Sequence, residues 1–381
     1  MPAFQVLEPA IDPNNSPSFL LDWELTMKCN LDCSYCGEWL YGGHDNSTRH
    51  PALEDCLKSI DFMFQYVDLY MQKKPRGLRK VILNVYGGES LHHPDIVQIL
   101  SQLRSRHEPY ADSWHLTVTT TTNAIVTRKK LAAVIPFIDE FTVSYHTENS
   151  PKQKALFREN LLAIKNANKR MKCIVLMHNE PVEFADAQSM IDWLTANDIK
   201  MLPRQLDNPE FGNEGDDRSY TQSQVQWFNS LYQTKTYGKA MPIKTETVEV
   251  NLSDTGRACC GGRQLCQDSN YKDRQFYILD NKFPDWYCSV NHFFLFVKQV
   301  NGEIFVNKDC KMNFDNKVGP IGNLADTETL LMTTAQQLAT NSLPIIQCKK
   351  YKCHCGLCAP KAQNLGTYQT IMSKYLREYQ L

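Results

Sequence analysis

Residues 19–36 of the chain read FLLDWELTMKCNLDCSYC, an apolar run followed at once by three cysteines. The run from Phe19 to Thr26 is rich in large apolar residues, as a buried strand of a parallel sheet should be. Cys29, Cys33 and Cys36 come directly after it. Because loops at the carboxyl ends of parallel strands carry the functional groups of such folds, this stretch predicts a metal site on an α/β scaffold.

Outward from this stretch, strand-like and helix-like segments alternate up to about residue 240. The predicted strands after the first are 81–86, 116–121, 141–145, 173–177 and 200–206. The predicted helices are 51–72, 94–104, 127–138, 152–169, 183–196 and 222–234. Six β/α units predict parallel strands joined by right-handed crossovers. The periodicity fits a partial barrel and an open doubly wound sheet equally well, and no Rossmann or P-loop glycine motif is present.

The character of the sequence changes beyond residue 240. Residues 293–300 alternate between apolar and polar, Asn301-Gly302 follows, and 303–307 returns. This pattern predicts a β-hairpin, because Asn-Gly accepts the positive φ angles that a tight turn needs. The predicted division of the chain is an N-terminal extension at 1–17, a core domain at 18–240 and a smaller cysteine-rich α+β domain at 241–381.

Composition narrows the functional classes. The formal net charge is −1 at pH 7, so no bulk electrostatic attraction to nucleic acid or to a membrane surface is expected. No apolar run is long enough for a transmembrane helix, and no secretory signal precedes the first strand. The sequence therefore predicts a cytoplasmic protein without nucleic-acid or membrane partners.

The 14 cysteines are clustered rather than evenly scattered. Apart from the three at 29–36, Cys56 and Cys173 are isolated, and nine lie between 259 and 358. In a reducing cytoplasm such clustering predicts metal ligation rather than disulfides. Cys56 and Cys173 fit small buried core residues. For the C-terminal set, zinc and iron–sulfur clusters both stay open as interpretations.

The first cysteine group has the spacing C-x3-C-x2-C, which suits three corners of a cubane iron–sulfur cluster and leaves the fourth iron open. The second strand ends in Tyr86-Gly87-Gly88-Glu89, where glycines permit close backbone approach and a carboxylate can pair with an ammonium group. With these two motifs in this order, the chain resembles the radical S-adenosylmethionine superfamily. The resemblance implies a partial (β/α)6 TIM-like barrel that binds a 4Fe-4S cluster and S-adenosylmethionine.

The resemblance also implies roles for individual residues. Cys29, Cys33 and Cys36 would hold the cluster. The residues expected at the S-adenosylmethionine cofactor are Tyr35 near the adenine, Gly87, Gly88 and Glu89 at the amino group of the methionine moiety, Asn123 at the end of the third strand, and Ser144 at the ribose. For Ser144, an ordinary polar residue at a strand end is the alternative. The fifth strand lacks the glycine-containing adenine motif of the family.

The C-terminal cysteines resemble the SPASM/Twitch extension of this superfamily. Cys288 precedes the hairpin, Gly302 lies in its turn and Cys310 follows it, although the spacing to Cys310 is longer than usual. The resemblance implies one or two auxiliary 4Fe-4S clusters. The candidate ligands are Cys260, Cys266, Cys288, Cys310, Cys348, Cys353, Cys355 and Cys358. The lysines that would offset the negative charge of a tetrathiolate cluster are Lys349, Lys350, Lys352 and Lys361.

The implied reaction is reductive cleavage of S-adenosylmethionine to a 5′-deoxyadenosyl radical, which abstracts a substrate hydrogen atom. We expect a peptide or protein side chain as substrate. A small molecule or nucleotide is the alternative substrate class, and a non-catalytic iron–sulfur or zinc scaffold is the alternative outside enzymes. The expected partner is an electron donor such as flavodoxin or ferredoxin. A peptide substrate would need a separate recognition protein, because the stretch before the first strand is too short for a leader-binding domain.

Overall fold

The computed structural model describes eight segments of the chain. They are residues 6–7, 18–36, 48–73, 79–206, 220–233, 285–307, 319–348 and 361–379. The strands are β1 (Val6–Leu7), β2 (Phe19–Thr26), β3 (Lys80–Gly87), β4 (His115–Thr122), β5 (Glu140–Tyr145), β6 (Arg170–Met177), β7 (Met201–Gln205), β8 (Tyr287–Cys288), β9 (Phe294–Lys298), β10 (Glu303–Phe305), β11 (Gly322–Asn323), β12 (Ile346–Gln347) and β13 (Lys361–Ala362). The helices are α1 (Leu53–Met71), α2 (Ile96–His107), α3 (Arg128–Val134), α4 (Pro151–Asn166), α5 (Pro181–Ala196), α6 (Gln222–Gln233), α7 (Thr327–Ala339) and α8 (Leu365–Tyr379). The predicted strands, helices and hairpin are confirmed, with ends that move by a few residues.

Nine strands form one sheet in the order β11-β10-β9-β2-β3-β4-β5-β6-β7. The strands from β9 through β2 to β7 are all parallel, while β10 and β11 are antiparallel to their neighbours. The α/β class with a parallel sheet is therefore confirmed. Among the described strands, β7 and β11 are the two edges of the sheet. Closure into a partial barrel stays a prediction.

The two faces of this sheet differ in polarity. One face of the sheet packs against the helices. Four residues of β2 are fully buried in this main core, which also contains side chains of α1 to α5: Phe19, Leu21, Trp23 and Leu25. On the opposite face, Asn84 Nδ2 donates to Asp22 Oδ1 at 3.1 Å, and Thr119 Oγ1 donates to Asn84 Oδ1 at 3.3 Å. These three residues are in register across β2, β3 and β4. Because sheets buried on both faces are apolar throughout, this polar row distinguishes the second face from the core.

The C-terminal hairpin belongs to the same sheet. β9 lies parallel to β2, with Trp23 opposite Val297, and Trp23 Nε1 also donates to Gln299 Oε1 at 3.0 Å. Leu295 and Val297 are buried in the main core. Gly302 has φ +72° in the hairpin turn, as the Asn-Gly pair predicts. The domain boundary at 240 stays a prediction, but β9 to β11 extend the core sheet.

Helix α4 fixes the loop that follows β4. The helix begins with a capping box between Ser150 and Gln153, which satisfies backbone N–H groups of its first turn. Further along, the buried side chain of Asn160 donates to the carbonyl oxygens of Ala124 and Val126, both at 2.8 Å. Helix α4 therefore holds the segment that follows β4 in place.

A second sheet of short strands has the order β1-β13-β8-β12. Cys288 in β8 is in register with Ile346 on one side and Lys361 on the other, and α8 lies against β8 and β13. This sheet brings together residues that are far apart in sequence. None of the helices in the described segments combines the length and apolar character needed to cross a bilayer.

Candidate functional site

The predicted site residues lie at the carboxyl ends of the parallel strands of the main sheet. Parallel strands place their carboxyl ends together, so the loops after β2, β3, β4 and β5 are neighbours. The cysteine loop follows β2, Gly88 and Glu89 follow β3, and Asn123 follows β4. The structure brings these groups into direct contact, and their roles at a cofactor stay predictions.

Cys29, Cys33 and Cys36 are half-buried on the loop after β2. The N–H of Cys36 donates to Cys33 O at 3.0 Å. Burial raises the pKa of Cys29 and of Cys33 to about 12, and repulsion from the charge of Cys36 adds to the increase in both. The three sulfur groups are therefore close enough to interact electrostatically.

This donor set fits a cluster better than a single ion. Within the described segments, no three His, Cys, Asp or Glu side chains converge closely enough to hold one metal ion. In a cubane each cysteine binds a different iron, so the sulfurs do not have to meet at one point. Thiols of raised pKa release their protons when they bind metal. Three thiols on one loop fit three corners of a cubane, and their role as ligands stays a prediction.

Gly87 and Gly88 are required by the contact between β3 and the cysteine loop. Gly87 has φ +151°, and a Cβ there would lie 2.0 Å from Thr26 O. A Cβ at Gly88 would lie 2.5 Å from Lys28 O. The N–H groups of Gly88 and Glu89 donate to Thr26 O and Lys28 O, both at 2.8 Å. In the structure the two glycines admit the backbone of the loop that carries the cysteines, and their predicted contact with S-adenosylmethionine stays a prediction.

Glu89 is fully buried and accepts three hydrogen bonds. They come from Leu91 N–H at 2.9 Å, the Thr122 hydroxyl at 2.7 Å and Asn123 N–H at 2.6 Å. Burial raises the pKa of the Glu89 carboxyl, and these three donors oppose the increase. A carboxylate has about four acceptor positions, so one position is left for a further donor such as an ammonium group.

Asn123 connects Glu89 to the cysteine loop. Its backbone N–H binds Glu89, and its side-chain Nδ2 donates to Asn30 Oδ1 at 2.8 Å and to Cys29 Sγ at 3.8 Å. Its Oδ1 accepts from Ile125 N–H at 2.9 Å. In the structure this side chain organises the site, and its predicted contact with S-adenosylmethionine stays a prediction.

His146 is a site residue that sequence reasoning did not select. It follows the half-buried Ser144 by two residues, so the alternation of the strand places both on one face. His146 Nδ1 lies 2.7 Å from Tyr35 Oη and 3.3 Å from Cys33 Sγ. Burial lowers the pKa of His146 to about 4, so the ring is neutral at pH 7. The two-residue spacing from Ser144 was the available signal.

Glu148 was also missed. Its Oε2 accepts from Ser34 N–H at 2.8 Å, its Oε1 accepts from the Ser34 hydroxyl, and Oε1 lies 3.9 Å from His178 Nε2. The segment after β5 therefore holds the two residues between the second and third cysteines. No local pattern identifies Glu148, because the contact joins residues 114 positions apart.

Three histidines lie beside the Gly-Gly-Glu turn. The ring centroid of His50 is 4.9 Å from that of His93 and 5.7 Å from that of His92. His93 is fully buried, its Nδ1 accepts from Asp95 N–H at 3.1 Å, and its Nε2 lies 3.0 Å from Pro51 O. Burial lowers the pKa of all three histidines. His93 ties the start of α1 to the turn before α2, which is a structural role.

Two of the predicted auxiliary ligands are described, and both are buried in the second sheet. Cys288 is opposite Ile346, and Cys348 follows Ile346 by two residues, so strand alternation places both cysteines on one face. Lys361 is fully buried opposite Cys288, and its Nζ donates to Cys288 Sγ at 3.2 Å. A buried ammonium group needs polar or charged partners, and the Cys288 sulfur is one of them.

The remaining predicted ligands lie outside the described residues. They are Cys260, Cys266, Cys310, Cys353, Cys355 and Cys358. Cys56 and Cys173, which the sequence assigned to the core, are fully buried.

Comparison with known proteins gives a likeness of fold. No protein-family model and no curated protein matches the chain. Among solved structures, native anSMEcpe with bound AdoMet is similar over 95% of this chain and 97% of its own, with a TM-score of 0.51 and 12% identity. SuiB of Streptococcus suis, bound to S-adenosylmethionine, has a TM-score of 0.48 and 12% identity over 84% of this chain. The match spans 65% of the SuiB chain. The chain therefore shares its fold with anSMEcpe.

Proposed function

We propose that the protein is a radical S-adenosylmethionine enzyme. The observation that carries the proposal is the junction of its two motifs: the backbone after Gly87 is bonded to Thr26 and Lys28, and Asn123 links Glu89 to Cys29. A further support is the shared fold with anSMEcpe, whose structure contains AdoMet. An iron–sulfur site and a site for an amino acid moiety would thereby be adjacent.

The residues present fit the group that this function requires. A 4Fe-4S cluster on Cys29, Cys33 and Cys36 would supply one electron for cleavage of S-adenosylmethionine to methionine and the hydrogen-abstracting 5′-deoxyadenosyl radical. Glu89, buried and with acceptor capacity left, would bind the ammonium group of the methionine moiety. Ser144 would contact the ribose and Tyr35 the adenine.

The test is iron and sulfide counting on protein purified without oxygen, followed by addition of dithionite and S-adenosylmethionine. We expect 5′-deoxyadenosine release that C33A abolishes. The matched control is C56A, which removes a buried thiol of α1 and should keep both iron and release. Stoichiometric zinc with little iron would instead favour a non-catalytic scaffold. Unchanged release of 5′-deoxyadenosine by C33A would contradict the assignment of the cluster to the triad of Cys29, Cys33 and Cys36.

We further propose an auxiliary metal site on the second sheet, with Cys288 and Cys348 among its ligands. Their shared face, their burial and the ammonium group of Lys361 beside Cys288 support it. Metal analysis of C288A and C348A should show iron loss in excess of that in C173A, a buried cysteine of β6. Loss of zinc rather than iron would assign the site to zinc.

For the substrate we propose a peptide or protein side chain, as in enzymes whose C-terminal cysteines have this pattern. The fold neighbour anSMEcpe has also been solved with a bound peptide. The protein would act in the cytoplasm with a flavodoxin or ferredoxin as electron donor and a separate peptide-recognition protein. A short peptide encoded beside the gene is the probe: deuterium transfer from the labelled peptide to 5′-deoxyadenosine is expected. Transfer only from a labelled small molecule or nucleotide would overturn the peptide proposal.

A further inference from the structure

Cys33, Tyr35 and His146 form a closed triangle of polar atoms. Tyr35 Oη lies 2.7 Å from His146 Nδ1, and Cys33 Sγ lies 3.3 Å from the same nitrogen. The Tyr35 hydroxyl is also hydrogen-bonded to Cys33. Tyr35 is buried, and its ring plane is parallel to that of His146. Each of the three atoms therefore contacts the other two.

The position of the imidazole proton of His146 decides the direction of the hydrogen bonds in this triangle. A thiolate bound to iron has no proton and only accepts hydrogen bonds. The tyrosine hydroxyl brings one proton, and the imidazole brings another when its protonated nitrogen is Nδ1. When Nδ1 carries the imidazole proton, it donates to Tyr35 Oη and the hydroxyl in turn donates to Cys33 Sγ. In this arrangement the hydrogen bonds end on the sulfur.

Hydrogen bonds to ligand sulfurs are among the features that set the reduction potential of an iron–sulfur cluster. Donors stabilise the extra negative charge of the reduced cluster more than the charge of the oxidised one, so they raise the potential. We propose that Tyr35 and His146 are positioning residues that form a hydrogen-bond relay to Cys33 Sγ and raise the reduction potential of the cluster bound at the triad. This inference rests on the proposed function.

The donors to Cys33 differ from those to Cys29 in a way that makes the relay testable. Cys29 Sγ accepts from Leu31 N–H at 3.4 Å and from Asn123 Nδ2 at 3.8 Å. The first donor is a backbone group, and the second also binds Asn30, so its removal would disturb the cysteine loop itself. Cys33 receives its donors from two side chains, each of which can be removed without altering a ligand. A side-chain amide at position 146 would restore an N–H near the place of Nδ1.

The experiment is potentiometric titration of the reconstituted holoenzyme, followed by the EPR signal of the reduced cluster. Y35F and H146L should each shift the midpoint potential to more negative values, and H146N should restore it at least in part. Y35F combined with H146L should shift it by less than the sum of the two, because the groups act in series. The control H107L removes a histidine of α2 that contacts Trp114 O, far from the triad in sequence, and should leave the potential unchanged.

The outcomes separate the inference from the proposed function. Unchanged midpoint potentials in both Y35F and H146L, with clusters that still cleave S-adenosylmethionine, would overturn the relay alone. A wild-type protein that binds no cubane would overturn the proposed function. If H146L loses the cluster on purification, Y35F, which keeps the ring of residue 35, decides the result: a negative shift supports the relay and an unchanged potential refutes it.

Discussion

At the residue scale, the site depends on positions where one additional atom would block a backbone hydrogen bond. The absence of a Cβ at Gly87 and Gly88 lets the end of β3 bond to the backbone before Cys29. Glu89 then combines full burial with three hydrogen bonds from the protein. Because the two motifs share these bonds, a change at one motif should alter the other.

We predict that G88A will lose cluster-binding capacity and stability. The new Cβ would lie 2.5 Å from Lys28 O, so the loop before Cys29 has to move, at a cost of about 1–3 kcal/mol. Iron content and urea unfolding measure the two effects. The control G319A introduces a methyl group with no atom within 4 Å and should behave as wild type. Equal iron content in G88A and wild type would contradict the prediction.

His93 should make stability depend on pH. Its pKa is lowered by burial, whereas the unfolded chain has a histidine pKa of about 6.5. The unfolded state therefore takes up protons first, and stability that is complete above about pH 6.5 is lost as the pH falls toward the folded pKa. We expect the Tm of H93Q to decrease less than that of wild type between pH 7.5 and pH 5, as measured by differential scanning calorimetry. If the Tm of H93Q falls with pH as steeply as that of wild type, His93 is not a source of the pH dependence of stability.

At the element scale, the segment after β5 acts as a clamp on the cysteine loop. Glu148 binds both the N–H and the hydroxyl of Ser34, and His146 contacts Tyr35. The loop between the second and third cysteines is thus fixed by the end of β5, which is separated from β2 by β3 and β4 in the sheet. Sequence periodicity predicted β5 and its polar carboxyl end, but it could not say which polar residue reaches which loop.

We predict that E148A will release its cluster faster than wild type, because Ser34 loses an acceptor for two donors and the loop gains freedom. The decay of cluster absorbance in the presence of a chelator measures the rate. E159A serves as control, since Glu159 pairs with Arg128 at 3.4 Å on an exposed surface, where such pairs contribute little. Identical decay in E148A and E159A would contradict the clamp.

At the scale of the whole molecule, the C-terminal part of the chain completes the core sheet. β9 covers the edge of β2 that β3 leaves open, and Leu295 and Val297 are buried in the same core as α1 to α5. The boundary at residue 240 stays a prediction, and the segments on its two sides contribute side chains to one core.

We expect L295A to destabilise the entire protein by about 2–5 kcal/mol, the range for removing a buried leucine side chain. Calorimetry of wild type and variant should show one transition that moves as a unit. The exposed Leu365, at the start of α8, provides the control L365A, which should cost little. Two separate transitions, with only the smaller one affected by L295A, would indicate independent domains.

The sequence by itself determined the alternating elements, the parallel sheet, the cysteine loop after β2 and the Gly-Gly-Glu turn after β3. These follow from spacing along the chain, because side-chain periodicity and turn chemistry act over a few residues. Only the tertiary structure decided that β9 pairs with β2, that His146 and Glu148 hold the cysteine loop, and that Lys361 meets Cys288. These contacts join residues 73 to 114 positions apart for the side chains, and they depend on strand order and register, which short-range patterns do not specify.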